Sequence, residues 1–276
     1  MPGKVSVQEV EAKSIMNRSR IPTVDYAINP YTGCQHGCVY CYARFMKRYT
    51  GHINDEWGSF VDVKINGPTL LERQLGRRRE SSRDRVVLST VTDPYQPQER
   101  EYEITRRCLE ILGRYDFPTS ILTKSDLVMR DEDLLSQIPE AEVGATIITL
   151  DERVRRVFEA GATPSERRVN ALRRFSQAGI QTYAFLGPII PILSTPSLDD
   201  LIRMLGDIGV SHVLIDRLNI KYGNKPLVEK ALTTHFPTQA QEVLYALQPS
   251  SIYYMDLKDM IEDLCMTYGV KPDIIF

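Results

Sequence analysis

Short apolar runs alternate with amphipathic stretches along most of this chain, and that alternation restricts the fold more than any other feature. The runs at 26–29, 60–65, 86–89, 119–122, 143–149, 181–185 and 212–216 are brief and bounded by turn residues, as strands buried in a parallel sheet are. Helical patterns at 39–47, 69–79, 105–115, 131–137, 165–177 and 198–208 lie between them. Repeated strand and helix units build a parallel sheet, either open and doubly wound or closed into a complete or partial barrel, and periodicity does not choose between these. The 276 residues suffice for one large α/β domain. With 42% hydrophobic and 25% charged residues, disordered and fibrous architectures are excluded. Beyond Asp216 the alternation weakens, and 226–247 and 255–268 read as a helical tail that acts as a lid or packing appendage. The expected organisation is an amino-terminal extension over 1–22, a core over 23–220 and a helical carboxyl-terminal extension over 221–276 packed on that core.

The 34 Lys+Arg against 36 Asp+Glu leave a net charge of −2, so no global positive field draws the chain to nucleic acid or anionic lipid. No apolar run approaches the ~20 residues a membrane helix needs, and the opening residues carry no apolar targeting segment. A cytoplasmic protein without a membrane partner is expected. Five cysteines is an odd number, and three of them crowd between 34 and 41, which suits a metal or redox site better than a disulfide framework.

Those three stand in NPYTGCQHGCVYCYAR, from Asn29 to Arg44, spaced by three and then two residues on a turn carrying Gly33 and Gly37. Cys34, Cys38 and Cys41 can converge on one polynuclear centre. A [4Fe–4S] cluster that only transfers electrons usually has four cysteines, so three leave one iron open to a substrate or cofactor. The competing readings are a zinc knot completed by His36 or His52, or three ordinary buried thiols.

The spacing, with Tyr40 just before the last cysteine, resembles the signature of the radical S-adenosylmethionine superfamily, and the wider wording is similar to the branch that includes spore photoproduct lyase. The likeness continues in TDPYQPQE at 92–99, LTKSDLVMRD at 122–131 and VFEAGATPSERRVNAL at 157–172, and covers roughly residues 14 to 195. This resemblance implies a partial (β/α)6 barrel of the TIM type. It implies a [4Fe–4S] cluster on Cys34, Cys38 and Cys41 whose open iron chelates S-adenosylmethionine. An electron from a donor such as ferredoxin or flavodoxin then cleaves the cofactor to methionine and a 5′-deoxyadenosyl radical, which abstracts hydrogen from a substrate still to be identified. A lyase that repairs or modifies DNA or RNA lesions is an alternative, as is a non-catalytic iron–sulfur or zinc protein.

By the same resemblance Thr92 and Asp93 match a Ser-Asp pair that contacts the cofactor ribose, although an Asp93-Pro94 turn explains the pair equally well. Lys124 matches a lysine that neutralises the methionine carboxylate, or is simply solvated. Thr149 could donate to that carboxylate or be plain strand edge, and Tyr40 could pack near adenine or in the core. Two departures stand out. The Gly-Gly-Glu segment of many members is replaced by Val63-Lys64-Ile65-Asn66-Gly67-Pro68, and the cysteine that precedes the Ser-Asp pair in spore photoproduct lyase is replaced by Val91. Six arginines between Arg73 and Arg85, with Arg167, Arg168, Arg173 and Arg174, raise nucleic acid as a partner beside the blander reading of solvated helix faces. Cys108 and Cys265 sit among apolar residues and read as buried small hydrophobes.

Overall fold

A computed structural model describes residues 5–77, 84–220 and 223–276. Its strands are β1 (Ser6–Val10), β2 (Met16–Arg18), β3 (Tyr26–Ile28), β4 (Tyr31–Thr32), β5 (Phe60–Lys64), β6 (Val86–Leu88), β7 (Thr119–Thr123), β8 (Glu142–Thr146), β9 (Gln181–Ile189), β10 (His212–Arg217) and β11 (Pro272–Ile274). The helices are α1 (Gly67–Leu75), α2 (Glu99–Tyr102), α3 (Ile104–Arg114), α4 (Glu132–Leu135), α5 (Glu152–Phe158), α6 (Ser165–Gln177), α7 (Leu198–Ile208), α8 (Lys225–His235), α9 (Pro237–Ala246) and α10 (Tyr253–Thr267).

The main sheet runs β11-β10-β9-β8-β7-β6-β3-β2. From β3 to β10 every neighbour is parallel, with Ala27 beside Val87, Val87 beside Ser120, Ser120 beside Glu142 and Phe185 beside Leu214. Parallel strands joined in sequence through helices curl into a barrel, and here the curl stays open because antiparallel β2 ends one edge and β11 the other. The outcome is the partial (β/α)6 barrel that the resemblance implied. Apolar faces of α1 and α3 close one side of the sheet, where Leu71, Ile104, Leu109 and Leu112 are fully buried. Each such side chain contributes roughly 1.5–3 kcal/mol of transfer free energy. Further along the same face α7 and α10 pack over β9 and β10 through Leu201, Leu205, Leu257 and Ile261.

Several elements differ from the periodicity. The 60–65 run is β5, but it leaves the barrel and joins β1 and β4 in a separate three-stranded sheet. The 39–47 pattern does not become an α-helix. The Cys38 carbonyl accepts Cys41 N–H at 3.1 Å in a tight turn, Arg44 donates to the carbonyls of Cys38, Val39 and Cys41, and only a 3-10 helix at Tyr42–Tyr49 follows. The amino-terminal residues supply β1 and β2 to the two sheets. The carboxyl-terminal segment supplies α8 to α10 and also β11, which extends the sheet beside β10.

Candidate active site

In an α/β barrel the carboxyl ends of the strands carry the chemistry, because loops leaving them converge on the barrel axis. The cysteine loop follows β4 and crosses that end. Gly33 there has φ +79°, and a Cβ at this position would strike the Phe60 carbonyl oxygen of β5, so only glycine lets the loop lie against the side sheet. The Gln96 side-chain oxygen accepts the Gln35 amide at 2.9 Å, the Phe158 carbonyl accepts Val39 N–H at 3.0 Å, and His36 O accepts Gly161 N–H at 3.2 Å. From the carboxyl-terminal segment Asn224 donates to the Tyr40 carbonyl at 2.8 Å. Three distant stretches, at Gln96, Phe158–Gly161 and Asn224, therefore hold one turn.

Cys34, Cys38 and Cys41 are free thiols on the wall of one cavity of about 790 Å³. That volume lies toward the upper end of the ~300–1,000 Å³ typical of ligand sites. Burial, then Asp93 and Cys41, push the Cys34 thiol up to about 12. Burial also raises Cys38 and Cys41, each opposed by the ammonium of Lys124. Bare thiols so placed resist ionisation, and bound metal supplies the positive charge that stabilises the thiolates. Among the described residues no three His, Cys, Asp or Glu side chains gather tightly enough to hold a single ion. Three soft sulfur donors spread along one wall fit an iron–sulfur cluster.

The histidines weighed for a zinc knot face carboxylates. His52 has Asp55 Oδ2 at 2.6 Å from Nδ1 and Asp62 Oδ1 at 3.0 Å from Nε2, and its ring stacks on Phe60. His36 Nδ1 lies 3.3 Å from Asp93 Oδ2 without the alignment of a hydrogen bond.

Lys124 at the end of β7 and Thr92 and Asp93 beyond β6 line the cavity beside the cysteines. The Asp93 carboxylate accepts from the Thr123 hydroxyl at 2.6 Å and the Lys124 amide at 2.8 Å, and also from Tyr95 N–H at 2.9 Å, so the turn reading of Asp93-Pro94 is realised as well. Burial alone would raise its pKa, but His36 and these donors outweigh burial and bring it down to about 2. Thr92 donates to the Gly33 carbonyl at 2.5 Å. Lys124 stands 5.9 Å over the Tyr40 ring, and although burial lowers its affinity for a proton, Cys38 and Glu159 raise it further.

Two expected residues lie elsewhere. Strand β8 ends at Thr146, so Thr149 falls past the barrel rim. Its hydroxyl pairs with Ser197 at 3.0 Å and accepts Asp151 N–H at 3.0 Å, and Thr146 lines the cavity in its place. Tyr40 turns into the core beside Cys38, with its hydroxyl on Glu159, and does not line the cavity. Glu159 and Trp57 escaped sequence reasoning, since single charged or aromatic residues in a helix or turn carry no periodic signal, and Arg168, read there only as one of an arginine cluster, is buried on Glu159.

The arginines of the second cluster are engaged within the chain. Arg167 pairs with Asp126, Arg168 is buried on Glu159, Arg173 reaches Asn170 and Arg174 meets Glu132. Arg85 pairs with Glu142 at 3.3 Å, whereas Arg78, Arg79 and Arg83 lie outside the described residues.

An open parallel barrel with two buried thiols, a half-buried third and a lysine at its carboxyl rim defines a cofactor-dependent enzyme of the α/β class. The model of the Radical SAM superfamily matches residues 28–216, and the chain belongs to that family. An uncharacterized protein of Methanocaldococcus jannaschii is 38% identical over 193 residues, covering 70% of this chain and 71% of that protein. An uncharacterized protein of Mycobacterium tuberculosis is 30% identical over 229 residues, covering 79% of this chain and 66% of its own. Among solved structures, a spore photoproduct lyase variant with bound AdoMet and dinucleoside spore photoproduct matches with a TM-score of 0.69 at 15% identity, over 97% of this chain and 80% of that one. Streptococcus suis SuiB bound to S-adenosylmethionine matches with a TM-score of 0.55 at 11% identity, over 91% of this chain and 50% of that one. At these identities the likeness shows the fold alone. Among the described residues no helix is long and apolar enough to cross a membrane.

Proposed function

We propose that this enzyme holds a [4Fe–4S] cluster on Cys34, Cys38 and Cys41 and uses S-adenosylmethionine to begin radical chemistry on a substrate yet to be identified. The observation that carries this reading is the shared cavity wall: the three thiols and the Lys124 ammonium open on the same space. Cluster and cofactor together, once reduced by a donor such as ferredoxin or flavodoxin, supply a 5′-deoxyadenosyl radical for hydrogen abstraction.

The chain's own residues bind, orient and shield. Lys124, a point cation on the cavity wall, is assigned the methionine carboxylate. Asp93 Oδ2, engaged by one well-formed hydrogen bond from the Lys124 amide, keeps acceptor capacity for a ribose hydroxyl, with Thr92 beside it. Val87, Leu122, Phe185 and Leu214 give the cavity apolar walls that limit water around a reactive intermediate. Anaerobic reconstitution followed by dithionite and S-adenosylmethionine tests the reading. Release of 5′-deoxyadenosine is expected, and a metal protein without this activity would release none.

A second reading, lesion repair of the spore photoproduct lyase type, is favoured by the fold likeness. Val91 on the cavity wall speaks against it, because its C–H bonds are far poorer hydrogen-atom donors than the thiol at the matching position of that lyase.

A further inference from the structure

The cavity does not end at the cysteines. Ser120, Leu122 and Lys124, alternate residues of β7 and its end, all line it, so it runs about 13 Å from the rim lysine down to a floor near the amino ends of the strands. Arg85, Ser120, Glu142, Tyr183 and His212 line that floor. A barrel interior is ordinarily filled by packed side chains. Here Gly144 contributes none, and the Tyr183 ring lies over it: a Cβ at 144 would stand 2.2 Å from the Tyr183 Cζ. The Tyr183 hydroxyl donates to the Ile121 carbonyl at 3.2 Å, and the His212 ring stacks on Tyr183 at 5.1 Å. The Glu142 side chain is only 8% exposed. Its Oε2 accepts from Arg85 Nη1 and from the Ser120 hydroxyl, each at 3.3 Å. Among the described residues Oε1 accepts no hydrogen bond, His212 Nδ1 standing off at 3.9 Å. Buried carboxylate oxygens ordinarily have partners, so Oε1 is an acceptor that the cavity offers to a guest.

The charges of the floor already balance. Arg85 meets Glu142, so the site calls for no counterion, and burying a further ion costs more than burying a neutral group that is hydrogen-bonded. Donor and acceptor stand side by side, the guanidinium with its several N–H groups and the carboxylate with Oε1. The neutral group that matches both at once is a cis amide, whose N–H and C=O share one edge. Open-chain secondary amides are trans, so that edge belongs to a cyclic amide. Above the pair, Val87, Leu122, Phe185 and Leu214 suit the apolar faces of such a ring. We propose that Arg85 and Glu142 form a recognition floor for the N–H and C=O edge of a cyclic amide, Glu142 Oε1 accepting the N–H and Arg85 donating to the carbonyl. This rests on the proposed function only in calling the guest a substrate.

The test is isothermal titration of reconstituted, unreduced protein in the presence of S-adenosylmethionine. Uridine and glycine anhydride present the edge, one from a nucleobase and one from a dipeptide. In 3-methyluridine and sarcosine anhydride a methyl group replaces the N–H. At least one parent should bind about tenfold or more tightly than its methylated partner, and which parent does so identifies the source of the ring. Glu142→Gln, which keeps the shape and removes the charge, should weaken that parent about tenfold and leave the methylated compound unchanged. If Glu142→Gln fails to fold, the methyl comparison in the wild type decides alone. Equal or absent binding of parent and methylated compounds overturns the inference, as does binding of zwitterionic alanine in preference to both parents. Release of 5′-deoxyadenosine from the same preparation, after dithionite, reports separately on the proposed function. Release without cyclic-amide binding sinks this inference alone, and binding without release sinks the radical reading alone.

Discussion

Glu159 and Arg168 form an ion pair at 2.7 Å with neither side chain exposed, and the other oxygen of the same carboxylate accepts the Tyr40 hydroxyl. Arg168 also donates to the Thr146 carbonyl at the end of β8. One buried pair thus ties the cysteine loop to the barrel rim. Removing one partner strands a charge in a low-dielectric interior, at a cost of about 3–5 kcal/mol. Arg168→Met should therefore lower unfolding stability by that amount in urea titrations, and the double variant with Glu159→Gln should lose less than the sum of the singles. A loss below about 1 kcal/mol in Arg168→Met would show that the pair does not hold the loop.

Cys38→Ala should abolish both the brown chromophore and S-adenosylmethionine cleavage. Cys108 is buried in α3 and Cys265 in α10, each fully shielded, so Cys108→Ala and Cys265→Ala should keep the cluster. Iron analysis and visible absorption check this, and loss of iron from either control would favour a four-cysteine centre.

Lys124→Ala and Asp93→Ala should retain the cluster and bind S-adenosylmethionine roughly ten- to a hundredfold more weakly, since a charge-assisted contact contributes about 1.5–3 kcal/mol. Isothermal titration reads the change. Thr149→Ala, outside the cavity, should bind normally.

His52 should make stability depend on pH. Burial lowers its pKa, but Asp55 and Asp62 more than offset this, so the folded value stands above the ordinary one. A raised folded pKa means that stabilisation is complete below the unfolded value near 6.5 and is lost as pH rises through the folded value. Unfolding free energy should fall across that window in the wild type, and this fall should be smaller in His52→Gln. Identical pH profiles for the two proteins would refute the assignment.

The reconstituted enzyme, while cleaving S-adenosylmethionine, should not efficiently convert spore photoproduct in a dinucleotide to thymines, because Val91 offers no thiol hydrogen. Repair over many turnovers, at a rate comparable to cofactor cleavage, would reinstate the lyase reading.

The alternation of apolar runs determined the order of strands and helices, because a buried parallel strand must be short and apolar whatever surrounds it. Helices α6 and α7 follow their patterns closely. The cysteine spacing likewise determined that three thiols meet at one site, since thiols within eight residues are local neighbours in any compact turn. The tertiary structure alone decided which face each side chain serves. It moved β5 out of the barrel, turned Tyr40 from the cavity onto Glu159 and ended β8 three residues before Thr149. It also brought Glu159, 119 residues away in sequence, to the Tyr40 hydroxyl. Such pairings depend on packing between distant segments, which periodicity along the chain does not encode.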